Sequence, residues 1–257
     1  MNTELTDKVC LITGASRTLG ATIARQMAQH GAHVVINYHQ SQAVALHLCD
    51  ELGELGVRAL PVQADVSQPD QAARLIADTL SHFGALDILV NNVGPYVDTP
   101  LLELPLSEFE RIWAGNVQAT FMLTQAAGRA MKQAGHGVIV NIAATDAFHR
   151  SHSVYGLAKQ GVIHLTEAFA LELAPEVRIH ALAPDLIADN EEMSAEFTQA
   201  AIDATPMARL VTRAEVAALV CLLCTAPFAM INGQTIVMDG GRSIPRIALG
   251  KQPVAVP

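Results

Sequence analysis

The chain of 257 residues carries 16 Lys and Arg against 25 Asp and Glu, a formal charge of −9, and is 51% apolar, 16% charged and 4% aromatic. The apolar excess excludes a disordered chain, and the acidic balance excludes a protein that tracks nucleic-acid phosphates, which needs a basic face. The length is enough for one large domain or two small ones around a sizeable core.

Met1–Asp7 is polar and the first apolar stretch, Val9–Ile12, is only four residues long, so no secretory leader is expected. That stretch reads as a buried strand, and 34–36, 58–62, 88–90 and 138–142 read the same way. Between them, 21–29, 43–55, 71–82 and 108–131 carry helical periodicity, and Val154–Leu173 follows as a further helix. A strand at 178–182, a loop, a helix at 214–224 and a last strand at Thr235–Met238 complete the chain. Strand and helix in alternation predict βαβ units, hence a single α/β domain: a doubly wound, Rossmann-type parallel sheet with helices on both faces. No repeat, low-complexity segment or Pro/Gly-rich linker divides it, so the domain is expected to span 1–245, with a tail at 246–257. The acidic and small-residue segment 185–210 reads as a mobile substrate lid or as an ordered surface helix.

Four cysteines (Cys10, Cys49, Cys221, Cys224) are too scattered for a disulfide framework. Cys221 and Cys224 form a C-x-x-C, but inside an apolar helical run, where they read as small buried hydrophobes. The long uncharged run 216–238 is interrupted by Pro227 and by Asn232-Gly233-Gln234, so no membrane span of about 20 apolar residues is expected. The expectation is a soluble, cytoplasmic protein that binds neither membrane nor nucleic acid.

The first strand runs into Thr13-Gly14-Ala15-Ser16-Arg17-Thr18-Leu19-Gly20 and then a helix. Such a turn lets the backbone approach a pyrophosphate seated on unpaired helix N–H groups. Gly14, Ser16, Arg17 and Leu19 are therefore candidate cofactor contacts, although Thr18 stands where a middle glycine is usual. An acidic residue at the second strand's end would bind a ribose diol and repel a 2′-phosphate. The sequence there is Asn37-Tyr38-His39-Gln40-Ser41, without a carboxylate, and Arg17 can reach the same place. With His39 beside it, this favours NADPH over NADH.

Tyr155 and Lys159 stand at i and i+4, on one helix face. A phenol titrates near pH 10, and a neighbouring ammonium favours its ionised form, moving it towards acid–base work near neutrality. In order along the chain, Thr13-Gly14…Gly20, Ala64-Asp65-Val66, Asn91-Asn92-Val93-Gly94, Asn116-Val117, Tyr155-x-x-x-Lys159 and Met238-Asp239-Gly240-Gly241 resemble the short-chain dehydrogenase/reductase family over nearly the whole length. The resemblance implies that Asp65 and Val66 flank the adenine and that Asn92, with Val93 and Gly94, lies beside the cofactor. It implies that Asn116 holds a proton-relay water and that Tyr155 donates the proton in a reduction. Lys159 would assist Tyr155 and bind the nicotinamide ribose, Pro184 would lie at the cofactor, and the Ile187 backbone would meet the cofactor's carboxamide. No metal is implied, and the expected assembly is a homotetramer.

The departures matter as much. The serine that family members carry near the end of the fifth strand falls on Ala144, followed by Thr145 and Asp146, in a segment shorter by about two residues. The usual Pro-Gly after the sixth strand is Pro184-Asp185. Arg17-Thr18, Asp146 and Tyr96 resemble a pteridine-reductase and dihydromonapterin-reductase branch. There Asp146 would replace the serine as a catalytic group, and Tyr96 would stack on the substrate, with Ala144 and His152 at its edge. Against this, Tyr96 is also readable as a plain pocket wall and Asp146 as a helix-start carboxylate. His149 and His152 lack a third metal ligand nearby. The resulting expectation is an NADPH-dependent reductase of a C=O or C=N group in a small substrate, a dihydropterin being one candidate. A 3-oxoacyl thioester or general ketone is the alternative, and a catalytically weak NADPH-binding regulator is a third reading.

Overall fold

A computed structural model of the protein describes residues 5–148, 153–189 and 193–244. The tail at 246–257 and His152 lie outside the described residues. The strands are β1 (Val9–Ile12), β2 (His33–Tyr38), β3 (Ala59–Gln63), β4 (Ile88–Asn91), β5 (Gly137–Ile142), β6 (Val177–Pro184) and β7 (Thr235–Met238). All pair in parallel, in the order β3-β2-β1-β4-β5-β6-β7. The order reverses between β1 and β4, so the crevice at their carboxyl ends is where this topology places a ligand.

The helices are α1 (Thr18–Gln29), α2 (Gln42–Gly53), α3 (Pro69–Phe83), α4 (Leu106–Trp113), α5 (Ala119–Ala134), α6 (Val154–Leu173), α7 (Ala195–Ala204) and α8 (Arg213–Leu223). Strand alternation explains the unbroken apolar runs. In β1, Cys10 and Ile12 join a core with Ile23 and Met27 of α1 and Val216 and Val220 of α8. Val9 and Leu11 point to the opposite core, against Leu75 of α3 and Leu123 and Met131 of α5. Each fully buried Leu or Ile contributes roughly 1.5–3 kcal/mol, and both faces of the sheet are supplied. Helix ends follow local chemistry. Pro69 opens α3 and left-handed Gly84 closes it, Ser153 accepts from the Gly156 N–H at the start of α6, and Thr212 with Glu215 forms a capping box on α8.

Two findings differ from the periodicity or resolve it. The stretch read as one helix at 108–131 is interrupted by a π-turn, Ala114–Gln118. Here Asn116 Nδ2 donates to the carbonyls of Ile112 (2.9 Å) and Pro95 (3.0 Å). Gly115 is pressed on the Pro95 ring so closely that a Cβ would lie 2.6 Å from it. A one-residue bulge of this kind leaves the apolar period almost unchanged and is therefore silent in sequence. In the segment after β6, 195–204 is an ordered helix, with Ser194 accepting from the Phe197 N–H. No helix among the described residues is long and apolar enough to cross a membrane.

Candidate functional site

A cleft of about 1040 Å³ opens at the carboxyl ends of the strands. At one end it is built by the turn from β1 into α1. Gly14 has φ +59°, and Thr18 is held at φ +49°, a left-handed conformation that strains a β-branched residue. Three side chains fasten this turn. Asn37 Oδ1 accepts from the Gly14 N–H (3.2 Å), Thr13 Oγ1 accepts from the N–H groups of Asn92 (2.9 Å) and Val93 (3.0 Å), and Asn92 Nδ2 donates to the Thr13 carbonyl (2.9 Å). Asn37 and Thr13 were not among the sequence-derived site residues. Their signal was present only as the missing carboxylate after β2 and the first letter of a glycine motif. At Gly20 a Cβ would lie 2.5 Å from the Gly14 carbonyl oxygen, so the helix could not approach with any side chain there.

The first turn of α1 contains no acidic residue, and its N-cap Arg17 makes no side-chain cap, which leaves its N–H groups facing the cleft. Arg17 Nη2 donates to Ser41 Oγ at 2.6 Å, and His39 lines the same corner. Leu19, Asp65 and Val66 also line this end. One Asp65 oxygen accepts from the Ser67 N–H (3.0 Å) and hydroxyl (2.7 Å). Ser16, expected at the cofactor, is instead 8% exposed and does not line the cleft. The turn directs it into the protein together with Ala15, and Arg17 is the first side chain after Gly14 to reach the cleft. A backbone cradle without room for side chains and an open helix N-terminus with Arg17 beside it fit the phosphates of a dinucleotide.

At the other end, Asn92, Val93, Gly94, Tyr96, Ala144, Asp146, Tyr155, Lys159, Pro184 and Ile187 converge on the wall. Lys159 is 3% exposed, its Nζ donating to the Ile142 carbonyl at 2.8 Å and lying 5.5 Å from the Tyr155 ring centre. Burial pulls its pKa down to about 8, and the negative charge of Asp146 acts in the opposite direction. Tyr96 meets Tyr155 edge-on, with ring centres 5.0 Å apart and an interplanar angle of 77°. Asn116 does not line the cleft. It is fully buried beneath Gly94, and its Oδ1 has no hydrogen-bond partner among the described residues. A Cβ on Gly94 would sit 2.6 Å from both that oxygen and Lys159 Nζ.

The segment after β5 separates the two side chains beside the vacant serine position. Thr145 is fully buried and turns away, its hydroxyl donating to Asp185 Oδ1 at 2.8 Å. Ala144 and Asp146 are the ones that face the cleft. Arg111, Leu186, Met193 and Phe197 also line it and were not singled out from the sequence, and so does Asp185, which was noted there only as a departure from Pro-Gly. They come from segments that approach the site only through the fold. Among the described residues no group of His, Cys, Asp or Glu is arranged to hold a metal ion. Burial raises the Cys10, Cys221 and Cys224 thiols well above their ordinary range, which leaves them unreactive.

The family model described as enoyl-(acyl carrier protein) reductase matches residues 14–243. A 3-oxoacyl-[acyl-carrier-protein] reductase of Synechocystis is 37% identical, over 93% of this chain and 98% of its own. An uncharacterized oxidoreductase of Mycobacterium tuberculosis is 35% identical, over 96% of each chain. Among solved structures, a short-chain type dehydrogenase/reductase of Mycobacterium marinum superposes with TM-score 0.87 at 33% identity, covering 95% of this chain and 98% of that one. A 7α-hydroxysteroid dehydrogenase in complex with NADH and 7-oxo glycochenodeoxycholic acid gives 0.89 at 29% identity, covering 93% and 96%.

Proposed function

The chain belongs to the short-chain dehydrogenase/reductase family and is an NAD(P)H-dependent oxidoreductase; on that premise we propose that it reduces a C=O or C=N group of a small substrate with NADPH. The observation that carries this reading is the meeting of Tyr155, Lys159 and Asp146 in one cleft with a glycine turn that carries Arg17. When bound, the nicotinamide supplies the hydride. Gly14, the α1 N-terminus and Asn92 would hold the dinucleotide, and Arg17 with Ser41 and His39 would hold its 2′-phosphate. Tyr155 gives its hydroxyl proton to the substrate heteroatom. The Lys159 ammonium stabilises the phenolate left behind, and Asn116 Oδ1 and the Lys159 Nζ border the space from which a proton is resupplied.

Asp146 replaces a neutral hydroxyl with an acceptor, which suits a substrate that presents N–H groups beside its reducible bond. Tyr96 offers a ring edge and an aromatic wall for a planar heterocycle, so a dihydropterin-like ring is the preferred substrate class. The second reading, a 3-oxoacyl thioester, is favoured by the 37% identity to the Synechocystis protein. The 195–204 helix, which brings Phe197 to the cleft, would act as the substrate lid. A cytoplasmic homotetramer belongs to the same reading. The exposed Phe121, Leu157 and Leu171 on α5 and α6 are the surface it would cover.

The test is NADPH oxidation with 7,8-dihydrobiopterin, ethyl acetoacetate, 9,10-phenanthrenequinone and an acetoacetyl thioester, run beside Tyr155→Phe. Loss of the proton donor is expected to lower kcat/KM by about 10²–10⁴-fold. A loss under about tenfold removes Tyr155 from the acid role.

A further inference from the structure

Asp185 stands at the end of β6, where a glycine was expected, and it is 8% exposed. Both of its carboxylate oxygens are engaged. Oδ1 accepts from the Thr145 hydroxyl at 2.8 Å, and Oδ2 accepts from Arg242 Nη1 at 2.8 Å. Its own N–H donates to the Met238 carbonyl at 3.0 Å. Arg242 follows the turn after β7, and that turn is itself ordered by Asp239, which accepts from the Gly241 N–H at 2.8 Å and the Ser243 N–H at 2.7 Å. One carboxylate therefore joins the ends of three neighbouring strands.

The partner chosen in β5's outgoing segment is informative. Thr145 opens the short 3₁₀ turn Thr145–Ala147, and the residues on either side of it, Ala144 and Asp146, line the cleft. With Ala144 extended (φ −158°, ψ 159°), the turn begins abruptly, and Thr145 is the only one of the three that points into the protein. We propose that Asp185 and Arg242 are positioning residues: their ion pair holds Thr145, and through it sets the Asp146 carboxylate into the cleft that Lys159 also lines. The inference rests on Asp146 and Lys159 forming part of the working site.

Around Lys159 stand the Tyr155 ring on its own helix, Asn116 from the π-turn and the Ile142 carbonyl of β5, and Asp146 from the 3₁₀ turn lines the same cleft and acts on it by charge. Asp146 is the carboxylate among them. A change in its placement is therefore read at Lys159. The chain has four lysines, and Lys159 is the buried one among the described residues, so ¹³C-lysine NMR of the ligand-free protein follows its titration directly.

Asp146→Asn is expected to lower the Lys159 midpoint. Thr145→Val, which changes no charge, and Asp185→Asn are expected to lower it by less. Thr145→Ser, which keeps the hydroxyl, is expected to leave it in place, and Asp185→Asn added to Asp146→Asn to produce no further change. The proposal is overturned if Thr145→Val leaves the midpoint at its wild-type position, if Asp146→Asn does not move it, or if Asp185→Asn moves it equally in both backgrounds. The last result would mean that Asp185 and Arg242 act on Lys159 by their own charge. Arg242→Lys, which keeps the cation, provides a folded comparison should Asp185→Asn unfold. A wild-type midpoint in it supports a positioning ion pair, and a shift as large as that of Asp146→Asn counts against one. None of these measurements needs turnover, so they stand apart from the Tyr155→Phe test of the reductase reading.

Discussion

Gly94→Ala places one methyl group between the two side chains on which proton supply depends. The new Cβ would lie 2.6 Å from Asn116 Oδ1 and 2.6 Å from Lys159 Nζ, where ordinary contact begins at 3.4 Å. Each neighbour must therefore retreat by about 0.8 Å, or the loop after β4 must move. Neither neighbour is free to do so. Asn116 is tied to two carbonyls through Nδ2, and Lys159 donates to the Ile142 carbonyl in a dry environment. Overpacking of this kind costs about 1–3 kcal/mol, and loosening a hydrogen bond to a charged group adds about 1.5–3 kcal/mol. The stability loss should appear as a Tm lowered by several degrees, since about 1 kcal/mol corresponds to roughly 2–4 °C at this size. The effect on turnover should be larger, because a displacement near 1 Å in a reacting constellation costs about 10²-fold. Differential scanning calorimetry and phenanthrenequinone-dependent NADPH oxidation measure the two separately. A variant with wild-type Tm and kcat/KM within about threefold would show that the methyl is accommodated and that the packing argument is wrong.

Thr18→Gly removes a β-branched residue from φ +49°. Strain of about 1–3 kcal/mol is relieved against about 0.5–1 kcal/mol of added chain entropy, so Tm should rise, and a fall would refute the strain. Lys159→Met removes a buried ammonium whose pKa is about 8, down from 10.5. Between those two values the unfolded chain holds more protons than the folded one, so wild-type stability should rise with pH across that window. Below it the charge is carried at a burial penalty. The methionine variant should therefore be more stable at pH 7 while losing turnover, and a Tm lower than wild type would contradict the assignment. Arg17→Gln should weaken NADPH binding, followed by nucleotide fluorescence, by about 10- to 150-fold, the equivalent of one charge-assisted contact. NADH affinity should stay within about threefold, and equal weakening of both would remove the 2′-phosphate from Arg17.

The pattern of three-to-five-residue apolar runs between helical stretches specified a parallel sheet covered on both faces, because each strand supplies two cores at once. Val9 and Leu11 go one way and Cys10 and Ile12 the other. The chemistry on the helix face, Tyr155 with Lys159, was legible for the same reason: both lie within one turn, and short-range geometry is written directly in spacing. The dinucleotide cradle was legible to the extent that glycine betrays a place where only backbone fits. What sequence did not contain was the outcome of long-range choices. The π-turn at Ala114–Gln118 exists because Asn116 answers carbonyls at Ile112 and Pro95, a decision made between segments and invisible in the period. Thr145 turns from the cleft to meet Asp185, which Arg242 also binds, residues 40 and 97 positions further along the chain than Thr145. Ser16 entered the protein because the turn could present only some of its residues outward. Local periodicity and backbone sterics thus determined the fold class and the helix-borne pair, while the directions of Asn116 and Thr145 follow from polar groups that only the tertiary structure brings to them.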